Sequence, residues 1–236
     1  MRFSDHRPWF AIAMVVAAPV LLAIVEMFHP HPHDLFELDV HRWMLVHYAQ
    51  IPLFPLAAVA VASLVRERTD LWALLCRVGM FSFAVAFTAF DTAAGLVIGL
   101  LVKGALASGH PEAWRSMIDA VWFDPILGGR GFTDAPLLAL IGRLSLSVGA
   151  VAGAISLKRA GHTWLPVVLL AIASFGINVF KSHSWPGGPL TFGGIALAAG
   201  WIRWESLRRQ ARTVATLRHQ ADTGDTAQAP RGVRVP

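Results

Sequence analysis

Five of the ten histidines fall between Glu26 and Gln50: His29, His31, His33, His41 and His47, with Asp34, Glu37 and Asp39 among them. Imidazole and carboxylate together suit zinc or copper(II). Glu26, His29, His31, His33 and His41 are therefore candidate metal ligands. The His-Pro-His-Pro-His order favours polyproline II, whose three-fold turn sends side chains two residues apart in directions about 120° apart. No His-x-x-x-His helix spacing is present, and the same dipeptides also serve to end a helix and keep a loop polar.

Other polar residues stand inside long apolar runs, where charge is costly and calls for an explanation. Asp91 lies about 16 Å below the outer end of its run at the helical rise, sharing a face with Thr88, Gly95 and Gly99. Arg143 lies about seven residues inside another run, with Ser147 one turn deeper and Gly149 and Gly153 as a small-residue packing edge. His47 and Gln50 share a helix face, and Asn178, Lys181 and His183 gather at one end of a further run. Together these groups outline a polar pocket in which Asp91 and Arg143 are candidate catalytic residues, and His47, Gln50 and His183 candidate cofactor contacts.

Several chemistries fit this set. A metal with an open position activates water for hydrolysis, two facing histidines ligate haem, and a carboxylate near the midplane couples transport to a cation. The structural alternative is that Asp91 pairs with Arg143 and that His47 and Gln50 hydrogen-bond between helices. A non-enzymatic subunit of a membrane complex is the remaining class. Serine-nucleophile, P-loop, dinucleotide-binding and zinc-protease motifs do not occur.

The elements that must position these residues are membrane helices. The chain has 236 residues, 55% hydrophobic and 15% charged, with a mean hydropathy of +0.54, against about 25% charged in ordinary soluble domains. Six stretches are apolar enough to cross about 30 Å of hydrocarbon: Trp9 to Phe28, Trp43 to Val65, Val78 to Val102, Pro136 to Leu157, Trp164 to Phe180 and Pro189 to Trp204. This predicts an all-α, multi-pass bundle. The first stretch follows Arg2 and Arg7 without an Ala-x-Ala cleavage site, so it reads as a retained helix. Pro111 to Phe123 carries Trp114, Met117, Ile118, Val121 and Trp122 at helical spacing, predicting an interfacial helix in the outer loop, before a Gly128-Gly129-Arg130-Gly131 turn.

With the N-terminus cytoplasmic, fourteen Lys and Arg fall inside and five outside (Arg42, Lys103, Arg115, Arg130 and Lys181), as the positive-inside rule requires. All nine tryptophans sit at helix ends or in flanking loops, where indoles prefer the headgroup layer. The expected setting is a bacterial inner membrane with both termini cytoplasmic. Partners are then the lipid bilayer and membrane-complex subunits rather than nucleic acid, because the net charge of +5 gathers at helix ends. Residues 1–220 form one domain ending in a basic helix, and residues 221–236, small and polar, are expected to be disordered. The single Cys76 leaves no intramolecular disulfide or cysteine metal cluster.

Overall fold

The computed structural model describes residues 8–31, 33–129 and 135–222. Among these every regular element is helical. The Arg130–Gly131 half of the expected turn, Arg2, Arg7 and nearly all of the expected disordered tail lie outside the described residues, although Ala221 and Asp222 still belong to the last helix.

The chain runs through α1 (Pro8–Met27), α2 (Val40–Leu64), α3 (Leu71–Phe90), α4 (Ile98–Ala107), α5 (Arg115–Trp122), α6 (Leu137–Arg159), α7 (Trp164–Ala173), α8 (Gly176–Phe180) and α9 (Gly187–Asp222). Four helical runs are long and apolar enough to cross a membrane: Trp9–Met27, Val40–Leu64, Leu71–Ala107 and Leu137–Arg159. Large apolar side chains are exposed along them, among them Met14, Leu56, Phe81, Val85 and Val148. Water would not tolerate that surface over so many helices, so the chain is membrane-embedded.

Local chemistry sets the ends. Asp39 accepts from Arg42 N at 3.0 Å and Asp70 from Ala73 N at 3.1 Å, capping α2 and α3. Gly161, at φ +88°, ends the α6 turn where a side chain would be strained. Leu71 to Ala107 is longer than the expected Val78 to Val102, because the Asp70 cap starts it about two turns earlier and helix continues past Lys103.

Packing follows the small residues. The α3–α6 pair is the closest in the bundle, since a Cβ at Gly79 would lie 2.7 Å from Gly149 Cα, and one at Gly153 would lie 2.9 Å from Cys76 Sγ. The expected Gly149/Gly153 edge is thus the seam that lets the two backbones meet. Phe54, Phe83, Phe87 and Phe192 fill the centre with ring centroids 5.1–6.4 Å apart, and Leu22, Leu146, Leu170 and Ile195 surround them. α9 lies against α1 and α7. Its middle is clamped to the α6–α7 turn by Glu205, which takes hydrogen bonds from His162 and Thr163, and by Arg209, which donates to the Ala160 and Gly161 carbonyls.

Two irregularities shape the upper half. Between α3 and α4 the helix widens into a π turn, Asp91–Val97, a rare insertion found mostly at functional sites. Between α7 and α8 the helix breaks at Ser174 and Phe175. Ser147 Oγ donates to Ser174 O at 2.9 Å, Asn178 Nδ2 donates to Ser147 Oγ at 2.8 Å, and Ile177 N donates to Thr191 Oγ1 at 2.9 Å. Ser147 and Asn178, expected to line a pocket, instead satisfy this break.

Candidate functional site

The π turn aims Asp91, Ala94 and Gly95 at the upper part of α2 and at a cavity of about 430 Å³. The cavity gathers residues from six parts of the chain: His29, His31 and His33, then Trp43 and His47, then Asp91, then Trp122, then Arg143, and finally Lys181 and His183.

Each side chain is placed by identifiable contacts. Trp43 Nε1 donates to Gly95 O at 2.7 Å, locking α2 onto the π turn. The absence of a Cβ at Gly95 is what admits His47, because that atom would lie 1.9 Å from the ring's Cδ2. His47 Nδ1 donates to Trp43 O at 2.7 Å. A carbonyl can only accept, so this bond fixes the tautomer and leaves the lone pair on Nε2. That Nε2 faces Asp91 Oδ1 at 3.7 Å, with the two residues 2% and 1% exposed. Neither Asp91 oxygen has a hydrogen-bond partner among the described residues.

His29 follows the end of α1, held in place by Arg42 Nε, which donates to Phe28 O at 2.7 Å. Its Nδ1 donates to Pro30 O at 2.9 Å, so its lone pair is also on Nε2, buried and without a partner among the described residues. His183 rides the loop before α9. Only glycine at 188 lets that loop close down, since a Cβ there would lie 1.6 Å from His183 O and 2.8 Å from Glu26 Cγ. His183 Nε2 is likewise buried without a partner among the described residues. The His29 ring packs against His47 and His183, with centroids 5.0 and 4.9 Å away. Burial pulls the pKa of both loop histidines well below the ordinary range, His183 to about 3, so each is a neutral donor at pH 7.

The other expected site residues separate into groups. His31 and His33 line the cavity mouth, whereas His41 is exposed and points elsewhere. Glu26 and Gln50 are fully buried just off the cavity, where Gln50 Nε2 donates to Glu26 Oε1 at 2.8 Å. Thr88, expected on the Asp91 face, lines an apolar groove between α2 and α3 instead, because three residues of α-helix set it about 60° around the axis from Asp91. Asp91 and Arg143 share the cavity without an ion pair among the described residues. A haem between His47 and His183 would meet the His29 ring, which packs on both. As placed, no group of three His, Cys, Asp or Glu among the described residues stands ready to hold a metal ion.

A lid formed by α5 and the loops beside it covers one side of the cavity. Ile118 of α5 is buried against Leu38, Met44, Ile98 and Val102. Arg115 lies over the Phe36 ring at 4.4 Å and donates to Asp34 at 3.1 Å and to Glu112 at 2.9 Å. Trp122 forms part of the cavity wall, and Gly129 passes so close that a Cβ would lie 1.9 Å from its ring. Sequence reasoning missed Trp43, Gly95 and Trp122 as site residues. The available signal was that Trp43 precedes His47 by one turn and Gly95 follows Asp91 by one turn. Set against known protein families, curated proteins and solved structures, the chain matches none.

Proposed function

We propose that this chain is a six-crossing inner-membrane protein whose outward-facing cavity binds a divalent transition metal, zinc or copper(II). Asp91 and His47 form the first two ligands, and His29 and His183 join them by turning their rings. The observation that carries this reading is the His47–Asp91 pair. A lone-pair nitrogen and an unpartnered carboxylate oxygen face each other at 3.7 Å in a buried site, an arrangement stabilised by a cation between them. Two donors on one tetrahedral zinc lie about 3.3 Å apart, a few tenths of an ångström closer. Carbonyl bonds at Nδ1 of His29 and His47 match the outer-shell pattern of metal-ligating imidazoles. The ring spacings near 5 Å match imidazoles that share an ion, which a metal–nitrogen bond of about 2.0 Å sets at roughly 5 Å between centroids. Bound there, the ion would supply Lewis acidity to whatever enters the cavity.

The fifth and sixth crossings are assigned to Trp164–Phe180 and the apolar start of α9. An even number of crossings puts both termini on the side where Arg66, Arg68, Lys158, Arg159 and the α9 arginines collect, the cytoplasm of a bacterial cell. α5, amphipathic and roofing the cavity, is assigned to the outer interface.

The test is elemental analysis of untagged protein purified in detergent, before and after reconstitution with zinc or copper(II). About one equivalent is expected, with the ion lost in Asp91→Asn and in His47→Ala. Only trace metal in the wild type after reconstitution would overturn the reading, and a Soret band that vanishes in His47→Ala would replace it with haem.

A further inference from the structure

We infer that the groove between α2 and α3 is a binding site for an anionic phospholipid, with one acyl chain lying in the groove and the phosphate on Arg77. The groove is separate from the histidine cavity and has a volume of about 920 Å³. It runs beside α3 and the π turn from Arg77 to Val97, about 30 Å at the helical rise. Ala58, Ala62 and Ala84 make its floor shallow in side chain, while Val59, Phe81 and Val85 stand exposed along its rims.

Dimensions select the occupant. Spread over that length, the volume gives a cross-section of about 30 Å², or a width of about 6 Å. A helix from a second copy, about 10–12 Å across, would rest on the rims, whereas a hydrocarbon chain fits between them. A chain held at Arg77 and reaching mid-membrane, about 15 Å on, passes Ala84 and ends beside Thr88. In lipid an apolar groove gains no hydrophobic free energy from an apolar occupant, since the surrounding tails are equally apolar. Preference for one lipid over another therefore comes from its headgroup.

Charge selects the headgroup. Of the arginines at the α2–α3 turn, Arg66 pairs with Glu67 and Arg68 with Asp70, each at 3.2 Å, but Arg77 forms no ion pair among the described residues. Its guanidinium is held by neutral acceptors: Nη1 donates to Val65 O and to Arg68 O at 3.1 Å, and Nη2 donates to Arg68 O at 3.2 Å. These bonds orient the group without cancelling its charge. They use three of the five N–H donors of an arginine, leaving the edge formed by Nε and Nη2 for two phosphate oxygens. The half-buried side chain also lines the end of the groove, so the positive charge stands where the chain of a bound lipid enters.

The test is native mass spectrometry of the full-length protein in detergent, titrated with phosphatidylglycerol and with phosphatidylcholine of the same acyl chains, with thermal unfolding on every sample. Wild type is expected to bind phosphatidylglycerol at least about fivefold more tightly than phosphatidylcholine, the factor that one cationic side chain supplies against an anionic lipid. Arg77→Gln is expected to abolish that preference, Arg77→Lys to keep part of it, and Arg66→Gln, outside the groove, to leave it unchanged. Ala84→Phe, which fills the chain path, is expected to weaken both lipids alike. Equal affinity of wild type for the two lipids overturns the proposal without any variant. A preference that survives Arg77→Gln, or lipid binding that Ala84→Phe leaves intact in folded protein, overturns it as well. A mass of two chains that Ala84→Phe returns to one would overturn it in favour of a second copy in the groove.

Discussion

Gly95→Ala tests whether His47 owes its position to a missing methyl group. The added Cβ would lie 1.9 Å from His47 Cδ2 and 2.6 Å from Nε2, where ordinary contact begins near 3.4 Å. The ring must therefore retreat by about 1.5 Å, an overpacking that costs about 1–3 kcal/mol. Retreat also breaks the 2.7 Å bond from Nδ1 to Trp43 O, worth about 0.5–1.5 kcal/mol. Alanine recovers at most about 1 kcal/mol in helix propensity, so a net destabilisation of about 1–3 kcal/mol is expected. The effect on the site is larger. Structural zinc sites of four ligands bind with about 10–16 kcal/mol, roughly 3 kcal/mol per ligand, so displacing His47 weakens zinc on the order of 100-fold. The assay is zinc competition against a chromophoric chelator in detergent, with thermal unfolding on the same sample. Gly193→Ala is the control, because its Cβ would meet only Ala23 Cβ at 3.9 Å, and it is expected to change neither readout. Gly95→Ala protein that binds zinc within about threefold of wild type and melts with it would refute the placement of His47.

Two further outcomes follow from packing and from the lid. Phe54→Ala removes a fully buried ring that touches Phe83, Phe87 and Phe192 and is expected to cost about 3–5 kcal/mol, read as a lowered melting temperature; a loss below about 1 kcal/mol would mean that the aromatic cluster is not the core. The lid is expected to respond to pH, because the Phe36 N–H and Arg115 hold the Asp34 carboxyl below its ordinary range. A lowered folded-state pKa contributes stability above the unfolded value that is lost as pH falls through the folded one. Amide exchange in residues 115–122 should therefore speed up as pH is lowered through the carboxylate range. After correction for intrinsic exchange, Arg115→Gln should already be fast at neutral pH; an identical pH response in both proteins would exclude the latch.

The sequence by itself determined the class of the molecule. Apolar runs of membrane length have few folded solutions in lipid, because every backbone group must bond within its own helix, and this made an all-helical bundle legible along with the positions of its main helices. It also determined which side chains needed explaining, since Asp91, His47, Glu26 and Arg143 are costly in an apolar run whatever surrounds them. The Gly149/Gly153 seam was legible for the same reason, as small residues mark where helices meet closely.

Only tertiary structure decided how those residues are grouped. A π turn adds a residue to a helical turn without leaving a composition signal, so the widening at Asp91–Val97 could not be read from helical periodicity. Gln50 bonds Glu26 from a second helix, and Ser147 and Asn178 satisfy a helix break; both are long-range hydrogen bonds invisible to local spacing. His183, more than 130 residues beyond His47 in the chain, reaches His29 only because Gly188 lets its loop sink onto Glu26. Spacing along a helix fixes which side chains share a face, whereas the convergence of separate helices depends on how closely their backbones approach.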